Sequence, residues 1–377
     1  MVIRVTGHTE GASAAHREAE RVVGLYGDPD VSWSIVMEAH LARPVDPAAF
    51  VLALRRVVAA HPHLGPSPLV SVVPGDAVLA AREAIANGLF TPDQPLVRGA
   101  VDEAGTHVVV GCHHGVADGL GLLGLLGAAL DLDLRSSALG IAEQESSQSF
   151  ARRSLARLRE AALTPPQRLR RVPASSPARG DWLYSRSVTP PMGTAALVAA
   201  ARAATDAWNG TRGAGPRRPV VLAIGASRRT DSGRPEPDRQ TAYLRLEDVP
   251  AGVDLSGARS ILRNTEPEPT FPATTGLGIG PMITRALSSR LGSTMLLSNV
   301  GDVLGGEGDG GVGLESLAFF PATGGPSAVA VGLVTANGRT ELTVRAARRD
   351  FSEGAAEALV DHLAQAWVDV ARGAAGQ

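Results

Sequence analysis

The chain has no lysine: all 36 of its basic residues are arginine. That excludes chemistry built on a lysine amine, such as a Schiff base to pyridoxal phosphate, a Walker-type phosphate loop, or an attached biotin or lipoyl group. There is one cysteine, Cys112, so no internal disulfide can form. Net charge is nearly absent, at −2 over 377 residues. No strong field therefore draws the chain to nucleic acid or to an anionic membrane. No segment approaches the about 18 apolar residues of a membrane span, and no N-terminal apolar run resembles a signal peptide. A soluble cytoplasmic protein is expected, with neither membrane nor nucleic acid as partner.

Hydrophobic residues make up 44% and charged residues 20%, the balance of an ordinary globular protein. A length of 377 residues exceeds what one core usually holds, so two domains are expected. In residues 31–41, Trp33, Ile35, Met37, Ala39 and Leu41 alternate with Ser32, Ser34, Glu38 and His40, which predicts a half-buried strand. Asp46-Pro47 then caps a helix carrying Phe50, Val51, Leu54, Val57 and Val58, and His61-Pro62 stops it. His61 and His63, flanking that proline, read as surface or capping residues. Short strands are expected near 68–73, 96–101 and 106–112, and a helix near 77–87.

Residues 164–180 hold Pro165, Pro166, Pro173 and Pro177 among arginines and read as a crossing linker. The boundary is placed there, separating residues 1–175 from 176–377. The second half predicts strands near 182–189, 219–226, 240–246, 294–300, 314–320, 327–335 and 339–347. Helices are expected near 193–208, 255–263 and 279–291, and a last one after Asp350. The fold class is α/β with mixed sheets. The glycine-rich acidic stretch Gly305 to Gly313 reads as a loop.

The most informative stretch is His113-His114-Gly115-Val116-Ala117-Asp118-Gly119. Its four fixed letters, HHxxxDG, should arise by chance in about one chain in a thousand of this composition. A β-rich segment, Thr106 to Cys112, leads in, and a Leu/Gly-rich helix, Leu120 to Leu132, leads out. Imidazole titrates near neutrality, so it can take a proton from a nucleophile. Neighbouring residues of an extended chain face opposite ways, so one histidine faces a cleft and the other packs inward. Asp118 follows the turn and can fix the loop by pairing with an arginine. Gly119 permits backbone geometry closed to other residues. Divergence of the two imidazoles argues against a metal site built from His107, His113, His114 and Asp118, so no metal is expected. Cys112 reads as a small buried hydrophobe. Gly121, Gly124 and Gly127 repeat every three residues, at a helix cost of about 1 kcal/mol each, which points to very close packing on a sheet or near a ligand. The arginines of 152–171 read as a solvated helix face and linker, or as a docking patch for an acidic carrier protein. His113 and Asp118 also satisfy the HxxxxD spacing of glycerolipid acyltransferases, but the chain lacks their membrane segments.

HHGVADG resembles the signature of the chloramphenicol-acetyltransferase-like superfamily. That group includes nonribosomal peptide condensation domains, polyketide-associated acyltransferases, wax ester synthases and the plant BAHD enzymes. His61-Pro62-His63-Leu64, Pro95-Leu96-Val97-Arg98, Ser298-Asn299-Val300-Gly301 and the ending with Asp350-Phe351-Ser352 are also similar to that family. The plant-type DFGWG motif is missing, which counts against that branch. The resemblance implies two similar subdomains in a V, with an active-site tunnel between them entered from both ends. It implies that His114 faces the tunnel as general base and that His113 orients the loop. Asp118 pairs with an arginine, for which Arg228 and Arg229 are the candidates, and Gly119 completes the motif. Ser298 and Asn299 lie near the tunnel and help hold the acyl oxygen. No cofactor is bound. Acyl-coenzyme A or acyl-phosphopantetheine is the cosubstrate, and a small hydroxyl or amine compound is the acceptor. The reading is a free-standing, monomeric acyltransferase of natural-product biosynthesis, with an acyl or peptidyl carrier protein as a further partner. The alternative is a non-catalytic condensation-like protein that binds a carrier protein or substrate chain. A third reading is cyclisation or dehydration in the same tunnel.

Overall fold

The computed structural model describes the chain except residues 1–8, 25–30, 139, 177, 214–217, 231–232, 271, 274–278, 306–312, 324–326 and 376–377. The expected loop from Gly305 to Gly313 lies almost wholly outside the described residues.

Along the first half run α1 (Thr9–Val23), β1 (Ser34–Leu41), α2 (Pro47–Ala60), β2 (Leu69–Val73) and α3 (Val78–Asn87). The hairpin β3 (Val97–Asp102) and β4 (His107–His113) follows, then α4 (Gly119–Leu130), β5 (Leu134–Ser136) and α5 (Phe150–Leu163). The second half carries β6 (Asp181–Val188), α6 (Thr194–Gly210), β7 (Leu222–Ser227), β8 (Thr241–Leu246), α7 (Leu255–Asn264), α8 (Ile279–Ala286) and α9 (Ser288–Leu291). It ends with β9 (Met295–Gly305), β10 (Leu314–Phe320), β11 (Val329–Ala336), β12 (Arg339–Ala347) and α10 (Glu353–Ala375). Among the described residues no helix is long and apolar enough to cross a membrane.

The strands form two mixed sheets. The first has the order β10-β1-β4-β3-β2. The second has the order β6-β12-β11-β9-β7-β8, with β5 paired to β9. The fold class is α/β with mixed sheets, as the sequence predicts. Each half lends the other a strand. β10, from beyond residue 300, is the edge of the first sheet and pairs antiparallel with β1. β5, from the first half, pairs antiparallel with β9 in the second sheet.

Two large apolar cores result. One gathers Ile35, Met37, Leu54, Val110, Leu122 and Leu126 between the first sheet, α2 and α4. The other gathers Leu197, Trp208, Leu297, Val344, Leu359 and Trp367 between the second sheet, α6 and α10. Asp46 caps α2 as its sequence suggests, accepting from the Ala48 N–H at 3.0 Å, with Pro47 as first helical residue.

β1 differs from the half-buried strand expected. It sits inside the sheet, and a third cluster under α3 covers its other face with Val36, Ile85 and Phe320. On that face Ser32, Ser34 and Glu38 are buried and paired, while His40 at the strand's end stays exposed. Arg82 donates to Glu38 Oε2 at 2.7 Å, and the His107 ring meets Glu38 Oε1 at 2.7 Å. Arg345 of β12 joins the sheets: it ion-pairs Asp181 at 2.6 Å and donates to the carbonyls of Ser34 and Ala86.

Of the three glycines spaced along α4, Gly127 packs on Leu134 of β5, while the other two meet a connecting segment instead of a strand. A Cβ at Gly121 would overlap the Asp238 carbonyl oxygen, and one at Gly124 the Pro235 carbonyl oxygen. The helix is grooved to receive residues 235–238 of the β7–β8 connection. His63 grips the same segment, its Nε2 lying 2.8 Å from the Pro237 carbonyl oxygen. Gly124→Ala gains about 1 kcal/mol of helix propensity but pushes this backbone off the helix. A net loss of about 1–3 kcal/mol is expected, read as a lower midpoint in urea unfolding. An unchanged midpoint would disprove the groove.

Candidate functional site

The site grows from the end of β4. Alternation along the strand sends its last side chain and the next to opposite faces. His113 turns inward and is buried. The Phe90 ring meets it edge-on, with centroids 5.1 Å apart, and its Nδ1 accepts from the Gly115 N–H at 3.0 Å. Burial pushes its pKa down to about 3. Helix α1, which the sequence reading did not anticipate, lies against this turn: a Cβ on Gly115 would overlap the Ala19 carbonyl oxygen.

His114 faces the other way, into a cavity of about 340 Å³ between the two sheets. It lies deep in the molecule, and its partial accessibility is accessibility to that cavity. Its backbone N–H is anchored to the Trp33 carbonyl at 2.7 Å. Its Nδ1 lies 3.2 Å from the Ala117 carbonyl oxygen, which can only accept, so Nδ1 carries the proton. Nε2 is then left as the acceptor, and the Tyr243 hydroxyl lies 3.3 Å from it. Burial and then the nearby Arg239 charge lower the His114 pKa to about 4, against a smaller upward pull from Asp118.

Asp118 does not touch the imidazole system. Its carboxylate accepts from Arg229 at 2.8 and 2.9 Å, from the Gly121 N–H at 2.8 Å and from the Gln240 N–H at 2.8 Å. One buried carboxylate thereby caps α4, holds the cation of the second half and pins the segment clasped by α4. Of the two arginines the sequence offered, Arg229 is the partner; Arg228 bonds the Gln144 carbonyl at 3.1 Å.

Gly119 needs a different explanation from the one the sequence suggested. It is the first residue of α4 and is not among the glycines with positive φ. A Cβ there would stand 3.0 Å from the Phe319 ring carbon Cζ, so glycine serves close approach to β10. Ser298 and Asn299 on β9 both line the cavity. Asn299 holds its own turn: Oδ1 accepts from the Gly301 N–H at 2.8 Å, and Nδ2 donates to Thr194 at 3.1 Å. Cys112 is fully buried, and burial pushes its thiol pKa up, which suits a core side chain.

The arginine-rich segment is less free than its composition implied. Arg153 pairs with Glu247 and Glu268 and Arg157 with Glu268, each at 2.7 Å, and Arg171 pairs with Asp350 at 2.8 Å. Among the described residues one trio, Glu38, His40 and His107, brings potential metal-ligating atoms within 4.8 Å of one another. Glu38 is already neutralised by Arg82 and bonded by His107, and none of the three lines the cavity.

Tyr243 was not singled out by sequence reasoning. It is one residue of an ordinary-looking strand, and its partner lies 129 positions away. No local pattern marks it.

Both histidines are held neutral. The unfolded chain takes up protons below about pH 6.5, while the folded chain refuses them until about pH 4 at His114 and about pH 3 at His113. Stability therefore falls as pH drops from 6.5 toward 4. Thermal melts across that range should show a steady decline, smaller in a His114→Ala variant.

No protein-family profile matches the chain, and no curated protein does. Solved structures match over nearly its whole length. A double-mutant form of the starter condensation domain of rhizomide synthetase, in complex with C8-CoA and Leu-SNAC, is 15% identical, with a TM-score of 0.58 and 97% of each chain covered. The first condensation domain of the CDA synthetase is 16% identical, with a TM-score of 0.57 over 94% of this chain and 95% of that one. The epimerization domain from the third module of tyrocidine synthetase B is 14% identical, with a TM-score of 0.51 over 93% and 94%. The chain has the fold of these condensation-domain structures.

Proposed function

We propose that the chain is an acyltransferase. It moves an acyl group from a thioester, on coenzyme A or on the phosphopantetheine of a carrier protein, to a hydroxyl or amine of a small acceptor in natural-product biosynthesis. The observation that carries this reading is the His114 tautomer: with Nδ1 committed to the Ala117 carbonyl, the Nε2 lone pair faces an internal cavity between two sheets of condensation-domain type. The complexes of the rhizomide domain with C8-CoA and Leu-SNAC support the substrate class. The two units divide near residue 175, with β5 and β10 exchanged, and the thioester and the acceptor reach the cavity from opposite sides.

The acceptor gives its proton to Nε2 as it attacks the thioester carbonyl. The carbon–sulfur bond then breaks, and the thiolate leaves with the proton from the imidazolium. Attack is direct, because Cys112 is sealed in the core and, among the described residues, no serine or threonine hydroxyl lining the cavity is bonded to an imidazole. His113 and Asp118 place His114: one is packed under the turn, and the other fixes the start of α4. Ser298 gives the cavity wall a hydroxyl near the acyl group.

A base with a pKa of about 4 is unprotonated throughout the neutral range. The rate should climb as pH rises through about 4 and stay level from about 5 to 8. A pH–rate profile with its acid limb near 6.5 would mean that the imidazole is not desolvated. The function itself is tested by intact-mass screening of acyl-coenzyme A and acyl-carrier donors against panels of alcohols and amines. Absence of acyl transfer with every donor class would overturn it.

A further inference from the structure

We infer that the Tyr243 hydroxyl is the second catalytic group, the donor that stabilises the oxyanion on the acyl carbon; this rests on the acyltransferase reading. Tyr243 stands on β8 of the second sheet and His114 at the end of β4 of the first. Their side chains meet inside the cavity, with the hydroxyl 3.3 Å from Nε2.

The proton count fixes the direction of this contact. Nε2 is an acceptor, so the phenol donates to it. Burial raises the phenol pKa, which keeps its proton in place at working pH. A phenol has one proton to give. Before substrate arrives it goes to Nε2. When an acceptor's own X–H takes that lone pair, the phenol proton is released to another oxygen. The nearest new one is the thioester carbonyl, because the attacking atom and the carbonyl oxygen sit on the same carbon. Two catalytic atoms 3.3 Å apart can each reach one of those two substituents. The base takes the nucleophile's proton while the phenol bonds the growing negative charge.

Through the step the X–C bond forms and the C–S bond breaks. The acceptor proton passes to Nε2 and then to the departing thiolate, and Tyr243 keeps its own proton throughout. Asn299 is less suited to this task, because its amide already bonds Gly301 and Thr194.

The test is Tyr243→Phe in the full chain, which removes one oxygen and keeps the ring. With a donor and acceptor that the wild type uses, kcat should fall about 10²–10³-fold, with KM changed only a few-fold. A matched dithioester donor, whose sulfur is a poor hydrogen-bond acceptor, adds a readout that a structural role would not move. The wild type should strongly prefer the oxygen thioester, and that preference should collapse in Tyr243→Phe. Without any substrate, the imidazole ¹⁵N spectrum should show the His114 Nε2 signal shifted and its pKa raised, since the neutral ring loses a donor. Wild-type kcat in the variant, or a fallen kcat with the oxygen preference intact, would overturn the assignment. If the wild type transfers no acyl group at all, the acyltransferase reading falls and this role falls with it, whereas the ¹⁵N shift would still report the contact.

Discussion

His114→Ala lowers kcat by at least about 10²-fold and leaves the chain folded. Both halves of this result follow from where the ring sits. Its side chain has two polar contacts, the Ala117 carbonyl and the Tyr243 hydroxyl, and one side of it borders open cavity. Truncation enlarges a space that already exists, so the stability loss should be well below that of a core truncation, which is about 2–5 kcal/mol. The backbone bond from the His114 N–H to Trp33 survives the change. Rate loss and stability loss should therefore separate. Steady-state kinetics with a thermal melt as control measures both, and wild-type turnover would remove His114 from the chemistry.

Asp118→Ala should do the reverse in kind, costing stability first and activity as a consequence. The carboxylate is buried and accepts from Arg229, Gly121 and Gln240. Removing it takes from a buried cation the more buried of its two carboxylate partners, a loss of up to about 3–5 kcal/mol. It also takes away the N-cap of α4. A drop of about 4–6 °C in melting temperature is expected. Arg229 would still hold Asp238, which tempers the loss. The double variant Asp118→Ala/Arg229→Ala should cost less than the sum of the singles, because each single change strands a partner. An unchanged melting temperature for Asp118→Ala would contradict the structural role.

Much of this was legible beforehand because it was local. The alternation around residues 31–41, the Asp46-Pro47 start and the strand–turn–helix around HHGVADG are written within a few neighbouring residues, and the elements formed there. The opposite facing of His113 and His114 followed from strand alternation alone. What escaped was set by distant partners. The glycines of α4 announced a close approach, but nothing nearby could name residues 235–238 as what approaches. Gly119 was read for its backbone freedom, whereas the nearby ring belongs to Phe319, two hundred positions on. Tyr243 carried no signal because its partner comes from the other sheet. The polar face of β1 was read as solvent-facing, since the sequence does not show that α3 and Arg82 cover it.

The placement of β10 has a consequence for synthesis. The sheet that presents His114 needs Leu314–Phe320 as its outer strand against β1. A growing polypeptide exposes that side of β1 until about two hundred residues beyond the histidine pair have been made. The histidine pair emerges from the ribosome well before the wall that holds it in place, so the reaction chamber cannot be finished until the β10 stretch has followed.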